Sequence, residues 1–349
     1  MMKRIICLML VLFCIASIMF TGCGQKKETG IKNGTVEDPI MIKIAHDNSV
    51  QTPGHKAIEG FKKEVEAQSG GRIKVEIYPG GQMGSIQDTM EQTRRGDIQM
   101  SFAATSLLIQ NMPELAVWEV FGLFDDKAHA HRVLDGKAGQ KMMEYLEAEN
   151  LEGIGYMEIG FRNFSNSKRP INTKEDVKGL KMRGYNSVQI KAWEALGANL
   201  SSLSWNEVFT SLQQGLIDGQ ECTTESFYSA KFNETQNYWS LTQHIYTNWL
   251  WYANQDFMDS LSEEDRGIVM DASKKAIHDQ REEADRAEKK NLELIKASGT
   301  IVNEVPLEAR AEMTQTMNEA VSRQIIDKCG QDVYDMVMEE VEKERHTAE

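Results

Sequence analysis

The residues most often used for catalysis and metal binding form no familiar arrangement in this sequence. No His-Glu-x-x-His, Gly-x-Ser-x-Gly, P-loop or Gly-x-Gly-x-x-Gly pattern occurs. His129 and His131 are two residues apart, which on a helix places them on opposed faces, a poor geometry for a shared metal. Carboxylate pairs such as Asp125 and Asp126 are frequent, but none lies in an apolar setting that would raise a pKa. We therefore predict a protein without enzymatic activity, metal or cofactor.

Length and charge set the broad class of the protein. The chain has 349 residues, of which 41% are hydrophobic, enough for about two domains with a core each. Its formal net charge is −14, and no basic stripe interrupts it. Because such a charge repels phosphate backbones, nucleic acid is excluded as a partner.

The N-terminus has the pattern of an export signal. Lys3 and Arg4 precede an apolar run over residues 5–20, which is short for a spanning helix of about 20 residues. The run ends in Thr21-Gly22-Cys23, which resembles the cleavage site of a bacterial lipoprotein. We predict a signal peptide over 1–22, lipidation of Cys23, a flexible tether over 23–38 and an extracytoplasmic location, anchored to the membrane by lipid. The alternative is an ordinary secretory signal with an incidental cysteine.

The rest of the chain alternates between strand and helix patterns. Period-two alternation predicts strands over 39–45, 72–78, 98–103, 180–183 and 216–221, and 3.6-residue periodicity predicts helices between them. The alternation restarts near Gly153, so two α/β units are predicted, the second beginning near residue 160, with a largely parallel sheet. Ligands of such sheets lie beyond the carboxyl ends of the strands. An uninterrupted helix over 268–298 is too long for one small domain and is predicted to run along both.

Several motifs between residues 42 and 265 resemble those of the DctP-like solute-binding proteins of TRAP (tripartite ATP-independent periplasmic) transporters. Their order and spacing make the resemblance specific, whereas each motif alone is weak. The motifs are Pro79-Gly80-Gly81-Gln82-Met83-Gly84, Lys178-Gly179-Leu180-Lys181-Met182-Arg183, Ser204-Trp205-Asn206-Glu207-Val208, Leu212-Gln213-Gln214-Gly215 and Asp218-Gly219-Gln220-Glu221.

The resemblance implies an α/β fold of the two-lobed periplasmic-binding-protein type (type II-like), with a hinge and a long helix spanning both lobes. We expect the first lobe to contain 39–159 plus about 247–286. The second lobe would contain 160–246 plus about 287–340. The ligand would be enclosed between them.

The resemblance also implies a ligand site for organic carboxylates, centred on Arg183. A guanidinium offers a planar fork of donors that matches both carboxylate oxygens and stays charged when water is excluded. Arg162 matches a second, assisting arginine; a structural salt bridge is the alternative for Arg162, and an interdomain ion pair is the alternative for Arg183. Trp205 stands where the family has an aromatic residue beside the ligand, although it could also belong to the core.

Cys222 departs from the family pattern, which has Asn directly after Asp-Gly-Gln-Glu. A thiol is a weak donor and cannot replace the amide, so Thr223 or Thr224 is expected to take over that contact. Asp47, Asn48 and Gln82 are further candidates, because they lie in loops at strand ends of the first lobe.

We therefore predict a lipid-anchored extracytoplasmic receptor that binds a small organic carboxylate, such as a C4-dicarboxylate or a sugar acid, and delivers it to a TRAP-type membrane permease. The alternatives are a receptor for a different transporter or for a sensor, a secreted hydrolase with a triad scattered through the sequence, and a structural lipoprotein.

Overall fold

The computed structural model describes residues 32–346. The predicted signal peptide, the lipidation site Cys23 and the first part of the predicted tether lie outside the described residues. Lys32 pairs with Leu261 and donates its backbone N–H to Ser260 at 2.7 Å. No helix within 32–346 combines the length and the apolar character needed to cross a bilayer.

The strands of residues 32–346 form one mixed sheet. They are β1 (Ile40–Ala45), β2 (Ile73–Tyr78), β3 (Met100–Ala104), β4 (Leu151–Asn166), β5 (Lys181–Gly184), β6 (Asn199–Ser202), β7 (Gly219–Thr223), β8 (Tyr238–Asn254) and β9 (Ile301–Glu304). Their order is β2-β1-β3-β8-β4-β7-β5-β6, and β9 pairs with β8.

Helices cover both faces of this sheet. The α-helices are α1 (Pro53–Gln68), α2 (Ile86–Arg95), α3 (Thr105–Leu108), α4 (Lys127–Asp135), α5 (Lys137–Glu144), α6 (Ser187–Ala195), α7 (Trp205–Gln213), α8 (Thr224–Ser229), α9 (Gln255–Asp259), α10 (Glu263–Ala297), α11 (Leu307–Cys329) and α12 (Gln331–His346). Short 3₁₀ helices lie at Pro113–Glu119, Tyr145–Glu149, Lys174–Val177 and Phe232–Glu234.

The sheet is built from two parallel groups that two long strands join. β1 pairs in parallel with β2 and β3, and β5 pairs in parallel with β6 and β7. β4 and β8 run antiparallel to each other through the middle and pair with β7 and β3 respectively. This is the two-lobed architecture that the family resemblance predicts. The prediction of a largely parallel sheet is correct for each group but wrong at the centre, because β4 and β8 each continue from one lobe into the other.

The long helix α10 has 35 residues, about 52 Å at 1.5 Å per residue. Ser262 caps its N-terminus by accepting the N–H of Asp265 at 3.1 Å, and three acidic residues in the first turn complement the helix dipole. The helix packs on α1 in the first lobe and on α8 and β9 in the second. The predicted helix that runs along both lobes is therefore confirmed.

Apolar packing forms a core in each lobe and a larger cluster that includes residues of both. Ile42, Phe61 and Trp251 are among the buried residues of the first lobe, and Phe227 and Trp239 are among those of the second. Trp251 belongs to β8, whose residues from His244 to Asn254 are all buried.

The strand predicted over 216–221 begins later, at Gly219. Gly215 has a left-handed φ of 68°, and Asp218 bridges to β5 by donating its N–H to Lys181 at 2.7 Å and accepting that residue's N–H at 2.9 Å. The turn thus extends to Asp218. Cys222 and Thr223 consequently form the end of β7.

We expect Gly219→Ala to lower the free energy of unfolding by about 1–3 kcal/mol, because overpacking forces neighbouring backbone apart. A Cβ at Gly219 would lie 2.2 Å from the carbonyl oxygen of Ser165 and 2.9 Å from Cβ of Asn166 on β4. Gly267→Ala is the control: it lies within α10 in open space and should stabilise by up to about 1 kcal/mol. Urea unfolding measures both, and equal midpoints for wild type and Gly219→Ala would contradict the close packing of β4 against β7.

Candidate functional site

A cavity of about 370 Å³ lies at the carboxyl ends of the strands and is lined by both lobes. Seven of the eight positions predicted for the ligand line it: Asp47, Asn48, Arg162, Arg183, Trp205, Cys222 and Thr223. The first lobe contributes the segment after β1, and the second contributes the ends of β5 and β7. The two long strands supply Arg162 and Trp249.

Arg183 is a buried cation of this cavity and has no ion-pair partner among residues 32–346. Its side chain sits near the end of β5, only 8% exposed, and its Nε donates to the carbonyl of Leu203 at 3.1 Å. Burial, followed by the charge of Arg162, lowers the pKa of Arg183 below its ordinary value. A guanidinium held this way has donors left for an anion and gains by acquiring one.

Arg162 is already neutralised. Its Nε donates to Oε2 of Glu221 at 2.5 Å, and its Nη2 donates to Oε1 of Glu221 at 2.8 Å and to the carbonyl oxygen of the same residue at 2.9 Å. Burial opposes ionisation of Glu221, but the charge of Arg162 and the hydrogen bonds from His244 and Arg162 hold its pKa well below the usual range. The structural salt bridge considered for Arg162 is thus present, and the same side chain also lines the cavity.

The ring of Tyr185 lies near both guanidiniums, and this residue was not predicted from the sequence. Its ring centroid is 4.9 Å from Cζ of Arg162 and 5.4 Å from Cζ of Arg183, both within cation–π range. Its hydroxyl is buried and has no hydrogen-bond partner within the described chain. Residues 183 and 185 share one face in the period of two that continues from β5, which is the signal that could have identified it.

Trp205 forms a wall of the cavity and is not a core residue. Its side chain is 40% exposed, and its ring lies 5.4 Å from Cζ of Arg183 and 5.2 Å from the Phe232 ring. Ser204 and Glu207 form a capping box, which fixes the start of α7 where Trp205 faces the cavity.

Cys222 presents a neutral thiol to the cavity. Burial raises its pKa to about 12, so the group has little donor or nucleophilic character. Cys222 and Cys329 are both free thiols and do not pair with each other. Thr223 caps α8 by accepting the N–H of Ser226 at 3.4 Å, and Thr224 also lines the cavity.

The segment after β1 is held by a pair of buried histidines. Nε2 of His46 and Nδ1 of His55 are 3.1 Å apart, and Nδ1 of His46 accepts the backbone N–H of Asn48 at 3.1 Å. That bond makes Nε2 of His46 the donor to His55. Nδ2 of Asn48 is buried and has no hydrogen-bond partner in residues 32–346. The structure does not bring Gln82 into the cavity, because its side chain is exposed on the turn next to this segment.

Three carboxylates lie close together at the edge of the cavity: Glu158, Asp285 and Glu288. The ammonium of Lys127 contacts all three, at 2.7 Å, 2.5 Å and 2.5 Å respectively. Nε2 of His131 is also 2.9 Å from Glu158. This cluster therefore has its own internal cation, and its geometry requires no metal ion.

We expect Glu221→Gln to destabilise the protein by about 3 kcal/mol, because it leaves the buried Arg162 without a counter-charge. Glu194→Gln, on the exposed side of α6, should change stability by less than about 0.5 kcal/mol. Urea unfolding at pH 7 compares the two variants, and equal stabilities would show that the pair contributes no more than a surface charge.

We also expect the stability of the protein to fall in acid because of His46. Burial, followed by the charge of His55, lowers the pKa of His46 to about 4, below the ordinary 6.5. Between these values the unfolded chain binds a proton that the folded protein does not, so the stability due to neutral His46 is complete above about pH 6.5 and is lost as the pH falls.

His46→Gln should therefore remove a loss of stability on the order of 2 kcal/mol between pH 7 and pH 5. His278→Gln, on an exposed part of α10, is the control and should retain the wild-type slope. Unfolding curves at several pH values test this, and a His46 variant with the unchanged slope would contradict the assignment.

Known proteins resemble this chain in sequence and in fold. The model of the family described as "Bacterial extracellular solute-binding protein, family 7" (DctP) matches residues 44–328. A solute-binding protein of Verminephrobacter eiseniae is 35% identical over 247 residues, which cover 70% of this chain and 74% of that protein. The C4-dicarboxylate-binding protein DctB of Bacillus subtilis is 30% identical over 301 residues, covering 84% of this chain and 86% of DctB.

Two solved structures extend the comparison to the fold. A TRAP periplasmic solute-binding protein from Ochrobactrum anthropi, whose C-terminus is bound in the ligand-binding pocket, has a TM-score of 0.84 and 30% identity, and the match covers 88% of this chain and 97% of that one. The sugar acid binding protein DctPAm from Advenella mimigardefordensis, in complex with galactonate, has a TM-score of 0.79 and 28% identity, with coverage of 88% and 99%. The family model, these relatives and the two-lobed fold agree with the motifs around Arg183, and the chain belongs to the DctP family of TRAP solute-binding proteins.

Proposed function

We propose that this protein is the extracytoplasmic receptor for a small organic carboxylate and that Arg183 binds the carboxylate group. The single observation that carries the proposal is the unpaired charge of Arg183 in a cavity between two lobes. A buried cation without a counter-ion is costly, and a ligand carboxylate removes that cost through a bidentate, charge-assisted pair. Relatives in the family support this ligand class, since one is named for C4-dicarboxylates and another is bound to galactonate.

Arg162 and Tyr185 would assist in different ways. Arg162 keeps Glu221 occupied, so that Glu221 does not compete with the ligand for Arg183. The unpartnered hydroxyl of Tyr185 would then be available to donate to a ligand oxygen. In this arrangement Trp205 covers one side of the ligand. Because the thiol of Cys222 is a weak donor, Thr223 or Thr224 would make the hydrogen bond to the ligand at the end of β7.

Binding would shift the protein towards a closed form. The two bodies that move in this proposal are the lobes. The first lobe contains 39–159 plus about 247–286, and the second contains 160–246 plus about 287–340. The bend would lie where β4 passes between them, near Gly160, which has a left-handed φ of 110° at a register shift between β4 and β8. A ligand that contacts both lobes stabilises the closed form by its differential affinity.

The receptor would work at the membrane. We propose that Cys23 is lipidated after removal of residues 1–22 and that the bound acid is handed to a TRAP-type permease. The sequence Thr21-Gly22-Cys23 after an apolar run, together with the family assignment, supports this.

We expect an organic acid of the correct class to raise the melting temperature of the full-length protein, purified in detergent, by several degrees. At 100 times its dissociation constant a ligand adds about 2.7 kcal/mol to stability. The panel contains dicarboxylates, aldonates, uronates, keto acids and sialic acid.

Arg183→Ala should abolish the shift, because among residues 32–346 no other cation that lines the cavity is free to bind the acid. Arg323→Ala, on an exposed part of α11, should leave it intact. If Arg183→Ala folds and still responds like wild type, or if no acid gives a shift with protein stripped of ligand, the proposal is wrong.

A further inference from the structure

The charged groups of the cavity are distributed unevenly. Besides the two arginines, the lining includes Asp47 from the first lobe and Glu225 from α8. Within the described chain neither carboxylate has a cation within ion-pair distance, so neither is neutralised by Arg162 or Arg183. The arginine-bearing part of the cavity therefore differs in chemistry from the part that holds these two acids.

The two carboxylates differ in exposure, since Glu225 is half-buried and Asp47 keeps exposed surface. Desolvation raises the pKa of Asp47, whose charge in turn contributes to the raised pKa of Tyr252 on β8. Burial also raises the pKa of Glu225, and the hydroxyls of Ser229 and Ser226 and the charge of Lys56, which is beyond ion-pair distance, only partly offset this. Neither group is compensated by protein cations in the way that Lys127 compensates Glu158 and Glu288. Each is an acceptor that a bound donor would stabilise.

The remaining polar lining consists mainly of hydroxyls and an amide. Nδ2 of Asn48 is buried without a partner and so offers a donor to a ligand oxygen. The hydroxyl-bearing residues that line the cavity are Ser49, Thr52, Ser106, Thr223, Thr224, Ser226 and Ser229. Such a set of donors and acceptors matches a chain or ring of hydroxyl groups.

We propose that this cavity selects a polyhydroxylated monocarboxylate, of the aldonate or uronate kind, and rejects a dicarboxylate. This rests on the proposed function, because the carboxylate of the ligand is taken by Arg183. The hydroxyls of the ligand donate to Asp47 and Glu225 from the two lobes. A second carboxylate has only acceptor atoms, so it cannot donate to either acid and is repelled by both.

An ammonium group is the other donor that two acids could attract. It is a single compact charge, whereas Asp47 and Glu225 belong to different lobes and each has hydroxyl neighbours. Separate hydroxyls along one ligand fit this arrangement better. We therefore include an amino acid in the experiment as a competing ligand and do not propose it as the ligand of this cavity.

The experiment measures dissociation constants by calorimetry for the full-length protein in detergent. Matched acids differ only in the second carboxylate: galactonate against galactarate, and gluconate against glucarate, with glucuronate as a uronate. Succinate tests a dicarboxylate without hydroxyls, and glutamine tests a carboxylate with an ammonium group. The expected result is that at least one monocarboxylate of the set binds, and that it binds at least about 10-fold tighter than its dicarboxylate partner, than succinate and than glutamine.

Two isosteric variants test the residues. Asp47→Asn and Glu225→Gln remove the negative charge but keep the shape, so each should weaken binding of the monocarboxylate and narrow its advantage over the matched dicarboxylate by several-fold. Glu194→Gln, on the exposed side of α6, should change neither value. Melting curves without ligand establish that the variants are folded, and the wild-type panel tests the selectivity even if one variant fails to fold.

The outcomes separate the two proposals. Binding of succinate or of a matched dicarboxylate as tight as that of the hydroxy acids, and lost in Arg183→Ala, would overturn this inference and leave the receptor for carboxylates standing. Tighter binding of glutamine would overturn the hydroxyl assignment. Absence of any acid binding that depends on Arg183 would overturn the proposed function and this inference with it.

Discussion

The ion pair between Arg162 on β4 and Glu221 on β7 determines how the rest of the cavity can act. Two charges removed from water cost several kcal/mol each, and only close, multiple hydrogen bonds offset that cost. Here the guanidinium makes three such bonds to Glu221, and Nε2 of His244 lies 3.1 Å from Oε2, the oxygen that Nε of Arg162 also binds. This pair joins a strand that passes between the lobes to a strand of the second lobe. It also commits Glu221, whose charge acts on both arginines, to Arg162 and not to Arg183.

Because Glu221 is committed, Arg183 stays uncompensated. A second arginine nearby would normally be an unfavourable neighbour, and the charge of Arg162 does act to lower the pKa of Arg183. The ring of Tyr185 is within cation–π distance of both guanidiniums. Arg162, Arg183 and Glu221 together leave a site of net positive charge. In a chain of net charge −14, this local site is what an anionic solute can recognise.

The sequence predicted the local parts of this architecture well and the non-local parts less well. Strands such as β1 and helices such as α10 follow from periodicity and caps, which depend on neighbouring residues. The antiparallel centre could not be inferred, since the register of β4 against β8 joins residues from 72 (Asn166 with Tyr238) to 103 (Leu151 with Asn254) positions apart. Arg183 came from a motif, whereas Glu225 was missed because a glutamate in the first turn of a helix is ordinarily a dipole partner. Gln82 was predicted as a cavity residue but does not line the cavity, because the position of a loop at a strand end does not determine which of its side chains points inward.

The two lobes contribute complementary chemistry, and this explains why closure would depend on the ligand. The first lobe brings Asp47, and the second brings Arg183, so bringing the lobes together without a ligand would enclose unsatisfied charges of both signs at the cost of their hydration. A ligand with an acid group and hydroxyls satisfies both at once, and its contacts with each lobe add only in the closed form. A shift from 1% to 99% closed requires a differential affinity of about 5.5 kcal/mol. One bidentate carboxylate pair with several charge-assisted hydroxyl contacts is of that order, whereas an acid that contacts only Arg183 would bind without favouring closure.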